Sequence, residues 1–545
     1  MLRALTIITV SAVIAAPVAV HAQHEGHASA GAAAAEKLGT VAFENSCSPE
    51  SSANINRAVA LLHSFEFRSA IEGFETVLSA DETCAIAYWG IALAYWGNPF
   101  AGARTATTLQ PGLTALEKAR ATGTPTMRER AYIDAVAALF DNYATVPQRE
   151  RILAYERRMA EAVRANPEDV EAKIFHALAV NQTALPTDKT YAAQLQTIEI
   201  LEPLFETYPD HPGLAHYIIH AYDHPPLASR ALDAARRYAE IAPSVPHALH
   251  MPSHTFSRVG LWQESVDTNR LSEQSAMRDG AATEALHALD YQTYGHLQMA
   301  QDRAAREVLD RLPAVAATFD PAAITGGAAP PMAGFYALAA IPARYALERG
   351  AWQDAAELPV PSSGTPFTIA MTHFARALGA ARSGRPAAAR EDVSRLAALR
   401  DQLENQDAYW AEQVDIQWRV AGAWTAYADG RTEEAIAALR AAADIEDATD
   451  KAAVTPGPLA PARELLGEML LEAGEAQDAL RAFEATVAKE PGRFRGAFGA
   501  ARAAEAAGDA AGARHYYQTL LEIARDADSP RPEIQRARTY LGASP

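Results

Sequence analysis

Two histidine pairs organise the middle of the chain: His216 with His220, and His250 with His254. Each pair is four residues apart, and the two pairs are offset by 34. Four residues is about one helical turn, so each pair falls on one face of a helix, where neutral imidazoles can share a divalent ion. The segment 211–254 holds seven of the sixteen histidines. His216, His220, His250 and His254 are therefore the first candidate metal ligands, with zinc, copper and iron all admitted by imidazole donors. Asp223, His224, His247, His287 and Asp290 are candidates to add ligands or to orient ligand rings from behind. Arg258 and Tyr294 are candidates to contact an anion. Neither pair is an HExxH: Tyr217, Ile218 and Ile219 supply no Glu to act as general base. No residue is assigned a catalytic role on sequence. The same histidines also fit a groove for an anionic peptide, with Arg258 helping, or core positions.

Other candidates carry less. Gln23-His24-Glu25-Gly26-His27 reads as a solvated tail with some affinity for copper. His63, His176, His296 and His373 are isolated, and the Tyr88-Trp89 and Tyr95-Trp96 pairs read as helix packing. No phosphate-cradling glycine loop, nucleophile elbow or dinucleotide fingerprint is present.

The elements that position these residues follow from the same 34-residue offset, the length of one tetratricopeptide (TPR) unit, a helix–turn–helix. Near the C-terminus Gly474, Ala479 and Phe483 recur as Gly508, Ala513 and Tyr517, 34 residues on. Small residues let two helices approach and the bulky one fills the groove between them. Gly430 with Ala435, Gly384 with Ala389, Gly350 with Ala355, Gly260 with Ser265, and Ala70 with Phe74 mark further units. The pattern predicts an all-α, right-handed TPR-type solenoid of about twelve helix pairs between residues 51 and 527. On this register His216, His220, Asp223 and His224 lie on the first helix of one unit, and His247, His250, His254 and Arg258 on that of the next. His287, Asp290 and Tyr294 lie on the third. All are read as facing one concave groove. Residues 320–332, 358–366 and 448–461 break the period and read as loops or bends.

Residues 1–22 read as a cleaved signal peptide: Arg3, an apolar run to Val20, and a Val20-His21-Ala22 cleavage site. Residues 23–45 follow as a flexible segment. The array then divides into repeats at 46–210, a His-rich centre at 211–318, and repeats at 330–447 and 460–527. After cleavage, 47 basic face 67 acidic groups, a net charge of −20 that disfavours nucleic acid and anionic membranes. No segment of the mature chain is long and apolar enough to cross a bilayer. The two cysteines, Cys47 and Cys84, predict one disulfide in an exported chain, with a thiolate metal site as the alternative.

Three blocks, Leu62-His63-Ser64-Phe65 through Cys84 to Gly90, His216 to Pro225, and His250 to His254 with Arg258 to Trp262, resemble a group of exported bacterial TPR proteins. The resemblance implies a TPR solenoid and a periplasmic or secreted address, and it brings no activity. The reading is a scaffold for a protein or peptide, with a His-rich metal site in its groove. The alternatives are a metal-dependent hydrolase or oxidase, or a metal buffer or carrier.

Overall fold

The turns between paired helices are set by backbone that only glycine adopts cheaply. Gly260, Gly350, Gly384, Gly430, Gly474 and Gly508 all sit at positive φ, between +63° and +87°. The small residue that follows each turn is buried: Ser265, Ala355, Ala389, Ala435, Ala479 and Ala513. The bulky position then plugs against glycine on neighbouring first helices. A Cβ on Gly90 would lie 2.2 Å from the Phe74 ring, and one on Gly499 would lie 2.1 Å from the Phe483 ring. Helix spacing is thus written in glycine–aromatic contacts, which larger residues would force apart.

The computed structural model describes residues 36–542 except 124 and 323–326. The segment expected to be a signal peptide, the His24–His27 tail and part of the 320–332 stretch lie outside the described residues. What is described is an all-α, TPR-type solenoid. Twelve helix pairs run from Ser52–His63 with Phe67–Ala80 to Phe494–Ala506 with Ala510–Ile523, followed by Pro532–Leu541. No strand occurs among the described residues. Each helix packs on the next, and first helices also pack on first helices of adjacent pairs. The described residues from Lys37 onward form one compact unit. Among the described residues no helix is long and apolar enough to cross a membrane. Cys47 and Cys84 are disulfide-bonded, tying the segment ahead of Ser52–His63 to the start of Ala85–Trp96.

The 448–461 break is more than a bend. Its first half lies across the concave face as a strap. Asp450 pairs with Lys189 (2.7 Å) and with His224 Nδ1 (2.9 Å), and Lys451 reaches Asp223 (3.5 Å). The Tyr291 hydroxyl donates to the carbonyl of Ala453. The second half is held by the buried Arg344, which donates to Thr455 Oγ1 and to the carbonyls of Gly457 and Pro458. The centre of the groove is therefore roofed by the chain itself.

Candidate metal centre

Three consecutive first helices bring the histidines together: Pro212–Tyr222, then Pro246–His250 continuing as Pro252–Val259, then Ala282–Gln298. Prolines at the first helical positions fix the starts of the first two, where a missing N–H costs nothing. Pro252 also interrupts the middle helix between His250 and His254. The six side chains gather into two trios of buried imidazoles, His216, His220, His247 and His250, His254, His287. Within each trio the ligating nitrogens lie within 4.8 Å of one another.

The four histidines picked out first by spacing thus divide between two sites, two in each. His247 and His287 complete the trios. Stacking of adjacent first helices, which sequence spacing does not encode, decides this division.

The orientation of the rings settles which nitrogen carries the proton. His216 Nδ1 donates to the carbonyl of His63 (2.7 Å), His250 Nδ1 to Asn269 Oδ1 (2.7 Å), and His254 Nδ1 to Asp223 Oδ2 (2.9 Å). Each acceptor is committed, since Asn269 spends its amide N–H on the Ser265 carbonyl. A neutral ring with its proton on Nδ1 presents a lone pair at Nε2. His250 Nε2 and His254 Nε2 face each other at 3.1 Å, and His216 Nε2 lies 3.1 Å from both His220 Nε2 and His247 Nε2. Burial pushes all six rings below the ordinary imidazole range, His216 and His287 to about 3. Burial thus favours the neutral form of each ring, and the Nε2 lone pairs of His250 and His254 converge.

Behind the first trio lies a second polar group. Glu171 accepts from His63 Nε2 (2.9 Å) and His211 Nε2 (3.1 Å), and the Tyr217 hydroxyl donates to His63 Nδ1 (2.9 Å). Burial would raise the Glu171 carboxyl, but His211 and His63 hold it well below the ordinary range. These three also have metal-ligand spacing, yet the ring nitrogens turned toward Glu171 are already paired with it, and only His211 Nδ1 on the far side of its ring is without a partner. Their role is to fix His63, whose carbonyl orients His216. Gly213 is required here, because a Cβ would sit 2.5 Å from His63 Nδ1.

The remaining candidates take different places: Asp223 orients a trio ring, while Arg258, Asp290, Tyr294 and His224 pair with other groups. Asp223 caps its helix and supports the second trio. Its Oδ1 takes Arg258 Nε (2.8 Å) and Lys451 Nζ (3.5 Å) while Oδ2 holds His254. Burial would raise this carboxyl, but Lys451, Arg258 and His254 hold it well below the carboxylate range. Arg258 is accordingly bound to Asp223 and is not a free anion contact. Asp290 lies a fraction of a turn off the His287 face and pairs with Arg344 (2.8 Å). Tyr294 is about two turns along from His287, roughly 10 Å, where its hydroxyl meets Arg493 (3.0 Å). His224 joins Asp450 and Gln194 outside both trios.

Sequence reasoning missed Tyr291, Asn269, Phe100 and Lys451. Tyr291 is four residues from His287, the same signal as the histidine pairs. Its hydroxyl lies 3.5 Å from His254 Nε2, and its ring edges onto His250 at 4.7 Å. The others come from a second helix, a loop and the strap, and no local pattern marks them.

No protein-family model matches the chain, and no curated protein does either. Solved structures of helical-repeat proteins are similar at low identity. A chain of the APC/C hetero-tetramer Cut9–Hcn1 aligns at 11% identity over 92% of this chain and 77% of its own, with a TM-score of 0.35. The human IFIT1 dimer with PPP-AAAA aligns at 10% identity over 86% and 89%, TM-score 0.34. The P58(IPK) TPR domain aligns at 12% identity over 90% and 98%, TM-score 0.22. These superpositions are too loose to carry over a ligand or an activity.

Proposed function

We propose that the chain is a metalloprotein whose solenoid holds two metal ions, one on His216, His220 and His247 and one on His250, His254 and His287. One observation carries the reading. His250 and His254 both have Nδ1 committed as a donor, so their Nε2 lone pairs oppose each other at 3.1 Å with no proton between them. Buried lone pairs in that arrangement repel, and a cation between them converts the repulsion into two coordinate bonds.

The donor set favours copper, with zinc the competing ion. Six imidazoles and no carboxylate suit copper and zinc, whereas non-haem iron sites use a carboxylate beside two histidines. Hydrolysis by zinc-bound water calls for a general base, and the candidate carboxylates are engaged, Asp223 by Arg258 and Asp290 by Arg344. Redox or oxygen-dependent chemistry at a copper pair is the reading this arrangement supports best. The Cys47–Cys84 disulfide supports an exported chain. Folds of this type generally bind proteins or peptides, and with the groove centre roofed by residues 450–455 such a partner would use the outer faces.

The test is elemental analysis of the tag-free chain after exposure to copper or zinc and desalting. Two ions per chain are expected, falling to one in His216→Ala and in His254→Ala. A folded wild-type protein that stays empty after exposure to both metals would refute the centre.

A further inference from the structure

Each of the three first helices that build the trios offers a pair of side chains four residues apart. Two of these pairs are His216 with His220 and His250 with His254, and the third is His287 with Tyr291. Tyr291 therefore stands where the other two helices carry a second imidazole, one turn from His287 on the same face. Both trios open onto one cavity of about 440 Å³, lined by His220 and His247 from the first and by His254 and His287 from the second.

The aromatic rings packed on the two trios differ in one respect. Phe65 packs on all three rings of the first, with centroids 4.4 Å from His216 and 5.8 Å from His220 and His247. Phe100 lies 4.4 Å from His220. Neither phenyl has a donor atom. Two tyrosines also meet His216, but Tyr217 spends its hydroxyl on His63 Nδ1 (2.9 Å). Tyr238 stacks flat on the ring, and its hydroxyl bonds no trio nitrogen. On the second trio the ring in contact with all three imidazoles is Tyr291, at 4.7 Å from His250, 5.3 Å from His287 and 5.4 Å from His254. Its hydroxyl oxygen lies 3.5 Å from His254 Nε2, the nitrogen that faces His250. Two donors about 2.0 Å from one ion lie about 2.8–3.5 Å apart for angles of about 90–120° between them. The His250–His254 spacing of 3.1 Å and the Tyr291–His254 spacing of 3.5 Å both meet that condition.

We infer that the second ion takes the Tyr291 oxygen as a fourth ligand. The two sites are then chemically unlike, one of three imidazoles walled by hydrocarbon and one of three imidazoles with a phenolate. This deepens the metal-centre reading and rests on it. On coordination the O–H bond breaks, the oxygen keeps the electron pair and the proton leaves to solvent, as for other ligands that bind metal deprotonated. The hydroxyl now donates to the Ala453 carbonyl at 3.3 Å, a long bond to the strap, so little is lost when the oxygen turns to the ion. A phenolate also brings one negative charge to a site whose candidate carboxylates are committed, Asp223 to Arg258 and Asp290 to Arg344.

Titration of the tag-free full chain with cupric chloride tests this, read by visible absorption and by elemental analysis after desalting. A phenolate-to-cupric charge-transfer band is expected, and Raman scattering excited within it should carry tyrosine ring vibrations. His216→Ala should keep the band and Tyr291→Phe should lose it. Tyr291→Phe removes one oxygen and leaves the ring contacts, so the thermal midpoint of the metal-free chain should hold. Copper should still bind that variant, with the affinity of the His254 trio down by at least about tenfold in chelator competition. A band that survives Tyr291→Phe, or copper bound to the wild type without the band, overturns the inference and leaves the metal centre standing. A folded chain that stays empty of copper, the divalent ion such donors hold most tightly, refutes the metal centre and this ligand together.

Discussion

Most histidine metal sites weaken as pH falls, because protons compete for the ligand nitrogens. This one should not. A solvated ring titrating at the ordinary 6.5 is about 97% protonated at pH 5.0, and freeing it costs a factor of about 30 in affinity. Three such rings together cost about 3 × 10⁴. In the first trio burial holds His216 at about 3 and His220 and His247 well below their ordinary value. The proton penalty has already been met during folding, so none remains to be met by the metal. The affinity of the His216 trio should change by no more than about threefold between pH 7.5 and 5.0. The assay is chelator competition at both pH values, corrected for protonation of the chelator, on His254→Ala protein to isolate this trio. Calorimetry at pH 5.0 in two buffers of different ionisation enthalpy should show close to zero protons released per ion. Release of about three protons, or an affinity loss beyond about 10³, would refute the reasoning and mean that the rings are solvated.

The same linkage has a stability face, with the opposite sign for two classes of group. Six imidazoles bind protons only in the unfolded chain below pH 6.5, while Glu66, Glu284 and Glu446, raised by burial to about 8, 7 and 7, hold protons only in the folded chain above the ordinary carboxylate range. Six outweigh three, so the thermal midpoint of the metal-free chain should fall from pH 6.5 to 5.0; a midpoint that rises shows that the carboxyl groups win. Asp223→Asn should destabilise the fold by about 3–5 kcal/mol by leaving Arg258 and Lys451 uncompensated. In chelator competition it should weaken the His254 trio by about 10–100-fold and spare the His216 trio. Cys47→Ala with Cys84→Ala opens a loop with a sequence separation of 37, and denaturant titration should register a loss of about 3–4 kcal/mol.

Much of the fold was legible because a TPR-type array repeats its instructions. Each turn needs glycine at positive φ and each crossing needs a small residue, so Gly474 and Gly508 announce themselves at fixed spacing. The histidine faces were legible for the same reason, since four residues along a helix is a property of the helix alone. What lay beyond local spacing was pairing. His216 shares its trio with His247, 31 residues on, because Pro212–Tyr222 stacks against the next first helix at a particular height. Asp290 and Tyr294 show the converse: both sit on the helix that supplies His287, yet packing gives each to an arginine. Lys451 and Asp450 arrive from more than 190 residues beyond His254, carried by a segment whose only local signal was a broken period.

Charge in the cavity argues further for which ions it takes. The six ligand rings are neutral. Among the charged groups around them, Asp223 and Asp450 are negative while Arg258, Lys451 and Lys189 are positive. Glu490 acts on Arg258 and Lys451 as well, so the charges around the rings are close to balanced before any ion enters. Two divalent ions would add four charges to a buried space with no free carboxylate, at a desolvation cost of several kcal/mol per ion. Two routes relieve that cost. Monovalent ions halve the added charge, and cuprous copper is a monovalent ion that accepts three imidazoles. Alternatively, anions drawn from solvent or substrate enter with the metal, and the cavity on the open side of both trios is where they would sit. Zinc has only the second route, whereas copper has both and can change its charge by one electron with the same ligands in place. A rigid pocket of neutral nitrogens, closed behind by His63, Asn269 and Asp223 and open in front, is thus better matched to an ion whose charge changes than to one whose charge is fixed.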